Sequence, residues 1–214
     1  MFILPTERAK QVVLDDTLED GWRIKTSVSP SKVADGAGNG RFAVDDVPRM
    51  RVAMLKPHVE MSEVKSLAAL AIDTTITFSK TEDLTKFVDL AQNESNLTVE
   101  QIHNFFSNFM FGLDGERGLL NMSSLTVNHS EMDSCNLVLT HDMNEGKECL
   151  VFSTKANDVA KGDELTCDYR LFKLPKFYLD YCDKHNFQDV RTIVVNAVDG
   201  GGSPPPNVVL PEKK

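Results

Sequence analysis

The sequence predicts a mainly β protein, interrupted by a helical insertion and closed by a C-terminal segment. Three observations carry that reading. Short β-like runs lie on both sides of the chain's middle, helical spacing fills residues 60–115, and Gly/Pro clusters punctuate the runs. At 214 residues, with 41% hydrophobic and 26% charged side chains, the chain has the composition of a folded protein with a core.

Residues 1–28 read as an N-terminal flanking segment. Its first twenty residues mix charge with aliphatics and suit a strand or arm, and Trp22 to Val28 alternates as a strand. Ser29 to Gly40 carries Pro30, Gly36, Gly38 and Gly40 and reads as a sharp loop. Arg41 to Val44 is a second strand, Asp45 to Met50 a turn, and Arg51 to Leu55 extended again, which suggests a small antiparallel sheet. The insert spans about 60–117. Met61–Ile72 and Leu84–Gln92 have helical spacing, and Thr98 with Gln101 forms a capping-box pattern opening a run to Phe111. Ile102, Phe105, Phe106, Phe109 and Met110 fall at i, i+3, i+4, i+7 and i+8, a stripe that buries one helix face. Strands return at Leu137–Thr140, Glu148–Ser153 and Glu164–Tyr169. Residues 173–198, with a helix over Lys176–Lys184, form a closing segment, and 199–214, rich in Gly and Pro, a flexible tail.

Charge narrows the partners. Lys and Arg number 23 against 32 Asp and Glu, a net charge of −9, which argues against a phosphate-backbone binder, so no direct nucleic-acid binding is expected. Cys135, Cys149, Cys167 and Cys182 include no CxxC pair, so neither a structural zinc site nor a disulfide scaffold is expected. The five histidines, His58, His103, His129, His141 and His185, likewise lack close ligand spacing. The opening residues are too short an apolar run for a secretory signal, and no stretch has the ~20 apolar residues that cross a bilayer. An intracellular protein with reduced thiols and no membrane association is the expectation.

Three motifs remain. Gly38-Asn39-Gly40-Arg41-Phe42-Ala43 places glycines where a backbone can approach a ligand closely. It lacks the third glycine and the following helix that a dinucleotide site needs. Asn128-His129-Ser130, with Asp133 to Asn136 behind it, is a polar cluster of the kind that builds Asx turns. Gly162-Asp163-Glu164-Leu165-Thr166-Cys167-Asp168-Tyr169 is a turn entering a strand.

Their order and spacing resemble the SET domain of protein lysine methyltransferases, in which GxGxFA, NHSCxPN and GEELTYDY follow one another. The resemblance covers Ser29 to Tyr169, giving a SET-like unit over 29–172. It implies a β-clip fold: several small sheets around a C-terminal pseudoknot, an exception to the usual avoidance of threaded chains. It implies S-adenosylmethionine as methyl donor and a lysine-bearing protein, histone or non-histone, as substrate. Gly38, Asn39, Gly40 and Arg41 would flank or line the donor, Asn128 and His129 would contact it, and Phe172 would lie against its adenine. Tyr169 would stand beside the transferring methyl. Cys167, where many members carry Phe or Tyr, would line the lysine channel with Tyr169. The chain departs from the pattern at Asn128 to Asn136, which is two residues longer and has no proline. Many relatives close the channel with a zinc cluster on a cysteine-rich tail. Only Cys182 follows Tyr169 here, so Phe172 to Phe187, or a partner copy, would have to close it; the chain is expected as a monomer or a homodimer. The competing expectation is a SET-like module that has lost catalysis and binds protein partners.

Overall fold

The structure, a computed structural model, describes residues 21–33, 38–71, 74–144 and 147–199. The arm expected in the first twenty residues, Gly36 and the tail from 200 onward lie outside these residues. In chain order the elements are β1 (Thr26–Pro30), β2 (Asn39–Ala43), β3 (Val52–Glu60), β4 (Thr75–Phe78), α1 (Thr81–Glu94), α2 (Val99–Phe109), β5 (Gly118–Asn121), β6 (Asn128–His129), β7 (Leu137–Asn144), β8 (Lys147–Thr154), β9 (Glu164–Cys167), α3 (Lys176–His185) and α4 (Val190–Asp199). The mainly β class with a helical insertion holds.

The strands form two sheets, ordered β1-β2-β9-β6 and β5-β4-β3-β8-β7. β1 and β2 pair antiparallel, as expected, but β3 leaves them for the second sheet, where it pairs with β8 and runs parallel to β4. The expected single small sheet is therefore split at the Asp45–Met50 turn. Trp22 precedes β1 and makes its own bridge to Met54, joining the two sheets. Between them lies a core that includes Trp22, Met54, Leu119, Leu150, Phe152 and Leu165.

The insert is less helical than its spacing predicts. The helix expected over Met61–Ile72 is absent from its described part, 61–71: after a 3-10 turn at Met61–Glu63 the chain turns irregularly. Met61, Val64 and Leu67 are all buried, so the i, i+3 recurrence is real. The backbone, however, is held from outside: the Glu94 carboxylate accepts from Leu67 N at 3.0 Å, Ala68 N at 2.7 Å and Ser66 Oγ at 3.1 Å. A carboxylate from α1 thus satisfies donors that a helix would have used internally. The same insert contributes β4, which sits inside the second sheet between β3 and β5.

In the first turn of α1 the Asp83 carboxylate reaches back to accept from Ser79 N and Lys80 N, fixing the chain as it enters the helix. In α2 the capping box forms, with Gln101 N donating to Thr98 Oγ1 at 3.2 Å and Thr98 N to Gln101 Oε1 at 2.9 Å. Ile102, Phe105, Phe106 and Met110 are buried. Phe106 packs on Phe78 and Phe87, with ring centroids 6.0 and 5.2 Å away, and its carbonyl accepts from Tyr178 Oη. This second core ties the insert to α3. The sequence reading had no helix at Val190–Asp199; α4 starts at the acceptor Asp189, whose carboxylate takes Arg191 N and Thr192 Oγ1. Among the described residues no helix is long and apolar enough to cross a membrane.

Candidate active site

β9 is the strand on which the three motifs meet. It pairs antiparallel with β2 through Arg41–Leu165 and Phe42–Glu164, and parallel with β6 through Asn128–Thr166 and His129–Cys167. Two peptide groups of β9 are also gripped by one side chain: Asn136 Nδ2 donates to Glu164 O at 2.7 Å, and its Oδ1 accepts from Thr166 N at 3.0 Å. The lengthened loop reaches this point because Glu131 to Cys135 coils, with Ser134 N and Cys135 N both donating to Glu131 O. The extra residues are absorbed in that turn.

At one end the arrangement is polar. Gly38 is exposed with φ +76°, a left-handed conformation that glycine adopts without strain. Asn39, at the start of β2, offers its carbonyl to Asn128 Nδ2 at 3.1 Å. The same amide donates to Glu164 Oε1 at 2.9 Å, an atom that also accepts from Ser31 Oγ, while Oε2 accepts from Lys32 N. Gly40 is buried beneath this carboxylate, and a Cβ there would lie 2.1 Å from Glu164 Oε1. The glycine requirement at position 40 is thus set by Glu164, a residue of the third motif that the sequence reading did not single out.

Arg41 departs from its expected place. Its guanidinium is 1% exposed, packs 4.6 Å over the Trp22 ring, and bonds Thr26 Oγ1, Thr126 Oγ1 and Ser123 O. The side chain alternates away from the glycine face into the inter-sheet core. Its donors are spent on protein, so it does not line the polar end.

The other end is apolar and centres on Tyr169, the first residue of the 3-10 turn after β9. Tyr169 N donates to His129 Nδ1 at 3.1 Å, and its hydroxyl donates to Val127 O. Since Nδ1 accepts, neutral His129 carries its proton on Nε2, an atom that is buried without a partner. Burial lowers the His129 pKa, partly opposed by Asp168, so the ring is neutral at pH 7. Asp168 is held ionised by Arg170, whose side chain and backbone N–H both donate to it. Burial raises the Tyr169 phenol well above its ordinary value and pushes the Cys167 thiol up as well. Neither is an anion at neutral pH.

Tyr169 borders a cleft lined also by Phe109, Met110, Phe111, Val127, Cys167, Phe172 and Val190. Phe172 is 8% exposed, stacked on Tyr169 at 5.1 Å and 24°, with Phe111 tilted against it at 5.5 Å. Most of its ring is taken up by these neighbours; it forms the cleft wall beside the phenol rather than an open face for a ligand. Arg191 of α4 fastens it by donating to Phe172 O at 3.2 Å. The structure therefore gathers Asn39, Gly40, Asn128, His129, Cys167, Tyr169 and Phe172 around β9 and sends Arg41 elsewhere. Val127, Val190 and the Phe109–Phe111 run were missed as cleft residues. Helical spacing assigns Phe109 and Met110 to the core, and periodicity does not separate core from cleft wall.

No protein-family model matches the chain, and a comparison with curated proteins returns no match. Solved structures do resemble it. Chaetomium thermophilum Polycomb Repressive Complex 2 in an autoinhibited conformation bound to S-adenosylmethionine is 17% identical, with 85% of this chain and 20% of that chain covered and a TM-score of 0.49. CpSET8 from Cryptosporidium is 13% identical, with 68% and 57% covered and a TM-score of 0.41. The chain spans about a fifth of the length of the Polycomb chain. The functional reading rests on the motif geometry above rather than on these values.

Proposed function

We propose that the chain is a SET-like protein lysine methyltransferase that uses S-adenosylmethionine to methylate the side-chain amine of a protein lysine. The observation that carries the proposal is the meeting of three motifs at β9. Asn128 bridges Asn39 O and Glu164, while His129 and Val127 fix both ends of Tyr169 beside an apolar cleft.

The residues present suit such a donor. Its charged amino-acid part needs polar groups, and Asn128 Oδ1, the exposed Gly38 and the Asn39 main chain stand at the polar end. Its adenine needs a hydrogen-bonding edge, and buried His129 Nε2–H lacks a partner. When bound, S-adenosylmethionine supplies a methyl group on a positively charged sulfur.

The chain's own residues would do the rest. A lysine must reach the methyl as the neutral amine, which from a pKa of about 10.4 costs roughly 4–5 kcal/mol at pH 7. The apolar walls of Phe109, Met110, Phe111 and Phe172 disfavour the ammonium and lower that cost. Tyr169, kept neutral by burial and aimed by its bond to Val127 O, orients the reacting groups; it is not poised as a phenolate base. Well-oriented reactants gain on the order of 7–11 kcal/mol, so positioning is the main contribution.

The experiment combines labelled donor, a lysate or lysine-peptide array, and Tyr169→Phe. Transfer to lysine is expected, with turnover in the variant falling about a hundredfold, the scale of a misplaced reacting group, while donor binding stays within several-fold. Undiminished turnover removes Tyr169 from the mechanism. Donor binding without transfer to any lysine supports the non-catalytic module, and calorimetry showing no donor binding overturns the methyltransferase reading.

A further inference from the structure

The second sheet brings together three side chains that the sequence keeps apart. His58 of β3, His141 of β7 and Glu148 of β8 each offer one ligand atom, and these atoms lie within 4.8 Å of one another. The two imidazoles are 5.2 Å apart, centroid to centroid. No sequence spacing betrays the cluster, because neighbouring strands assemble it: β8 lies between β3 and β7.

The donors are available and oriented. His58 Nε2 and both ring nitrogens of His141 are buried without a hydrogen-bond partner, an unusual expense for three polar atoms in one place. His58 Nδ1 lies 3.3 Å from Thr77 Oγ1 on β4, which fixes the ring and leaves buried Nε2 as its unpartnered donor, as outer partners of ligating histidines do. Glu148 is held by Arg117 in a two-pronged pair at 2.6 and 2.8 Å, and Arg117 is anchored in turn by Asp114. Each carboxylate oxygen keeps a second lone pair for a cation. His141 Nδ1 and Glu148 Oε1 already stand 3.3 Å apart. Bonds of 2.0–2.2 Å to a tetrahedral zinc give ligand edges of about 3.3–3.5 Å, so this pair needs no adjustment, and the His58 atom, within 4.8 Å of both, must close by no more than about 1.5 Å. Burial holds both imidazoles below their ordinary pKa, His58 at about 4, and a neutral imidazole is the form that ligates. Asp114 and Glu148 against Arg117 leave one net negative charge beside the site.

We propose that His58 Nε2, His141 Nδ1 and Glu148 Oε1 form a three-ligand site for a divalent transition metal of the zinc class, with water in the fourth position. The nitrogen-rich donor set disfavours magnesium and calcium, which take oxygen ligands. The ion bolts edge strand β7 to β3 across β8 and shares no residue with the β9 site, so this proposal stands independently of the methyltransferase reading.

The test uses the full chain stripped with a chelator, then titrated with zinc against a chromophoric indicator and, separately, with cobalt. One equivalent is expected, with tetrahedral cobalt absorption and no thiolate charge-transfer band. His58→Ala and His141→Ala should each weaken binding by tenfold or more. Thr77→Val, which touches no metal, should weaken it by about 10–100-fold. His141 lies on an edge strand, so its variant keeps the fold, as a melt of the metal-free protein checks. Failure to bind one equivalent, unchanged affinity in His141→Ala, or a thiolate band marking the cysteines instead would each overturn the site.

Discussion

Asn136→Ala isolates the contact on which the meeting of the motifs depends. The wild-type amide satisfies Glu164 O and Thr166 N, whose residues are 9% and 3% exposed. Alanine leaves one buried acceptor and one buried donor unpaired at about 1–3 kcal/mol each. Asn136 is itself only half-buried, so water can reach part of the gap, and a total loss of about 2–4 kcal/mol is expected. With a urea dependence of about 2–3 kcal/mol per molar, the unfolding midpoint should fall by roughly 1–2 M at unchanged slope. Asn136→Asp sharpens the test: it keeps an acceptor for Thr166 N but turns a carboxylate oxygen toward Glu164 O, so it should not rescue stability. A midpoint within about 0.2 M of wild type for Asn136→Ala would refute the reasoning, since two unpaired groups of that burial cannot be silent.

Two further outcomes follow from single side chains. On the proposed reaction, the small Cys167 side chain in the cleft wall leaves room beside Tyr169 for more than one methyl. Mass spectrometry should show di- or trimethyl-lysine at full conversion, and Cys167→Tyr should shift product toward monomethyl; monomethyl product alone from wild type contradicts this. His103 has its pKa lowered by burial and then by His185, so the folded state favours the neutral ring. Below about pH 6.5 the unfolded chain takes up the proton more readily, and stability falls as pH drops. His103→Gln should flatten that part of a melting-temperature profile, and an unchanged profile would exclude His103 as a contributor.

How much was legible in the sequence depends on whether the signal was local. The Thr98–Gln101 box and the α2 stripe were legible because every partner lies within three or four residues. Met61–Ile72 misled because burial at i, i+3 arises equally in an irregular segment, once a distant carboxylate, Glu94, takes its amides. Arg41 was misplaced because motif membership says nothing of which way a strand residue faces; alternation sends it toward Trp22. That Asn39, Asn128, His129 and Tyr169 come together in space was legible only through the resemblance, since their contacts cross up to 89 residues. The His58–His141–Glu148 cluster had no sequence signal, because strand order creates it.

The stretch after Tyr169 is held by contacts to the insert and to α4. After Tyr169 the backbone is fastened on two sides: Lys173 N donates to Gly112 O at 2.8 Å and Gly115 N to Lys173 O at 3.0 Å, while Arg191 holds Phe172 O. A Cβ at Gly112 would lie 2.4 Å from Lys173 O, so glycine is what lets the insert's exit loop approach this closely. Backbone pairing, the ring contacts of Phe172 with Phe111 and Tyr169, and α4 together hold this stretch. The wall facing Tyr169 is therefore built from the insert and the C-terminal helix together. Loosening either should disturb the inter-sheet core along with the cleft, because Phe111, Phe172 and Val190 belong to the same buried cluster as Met54, Leu150 and Leu165.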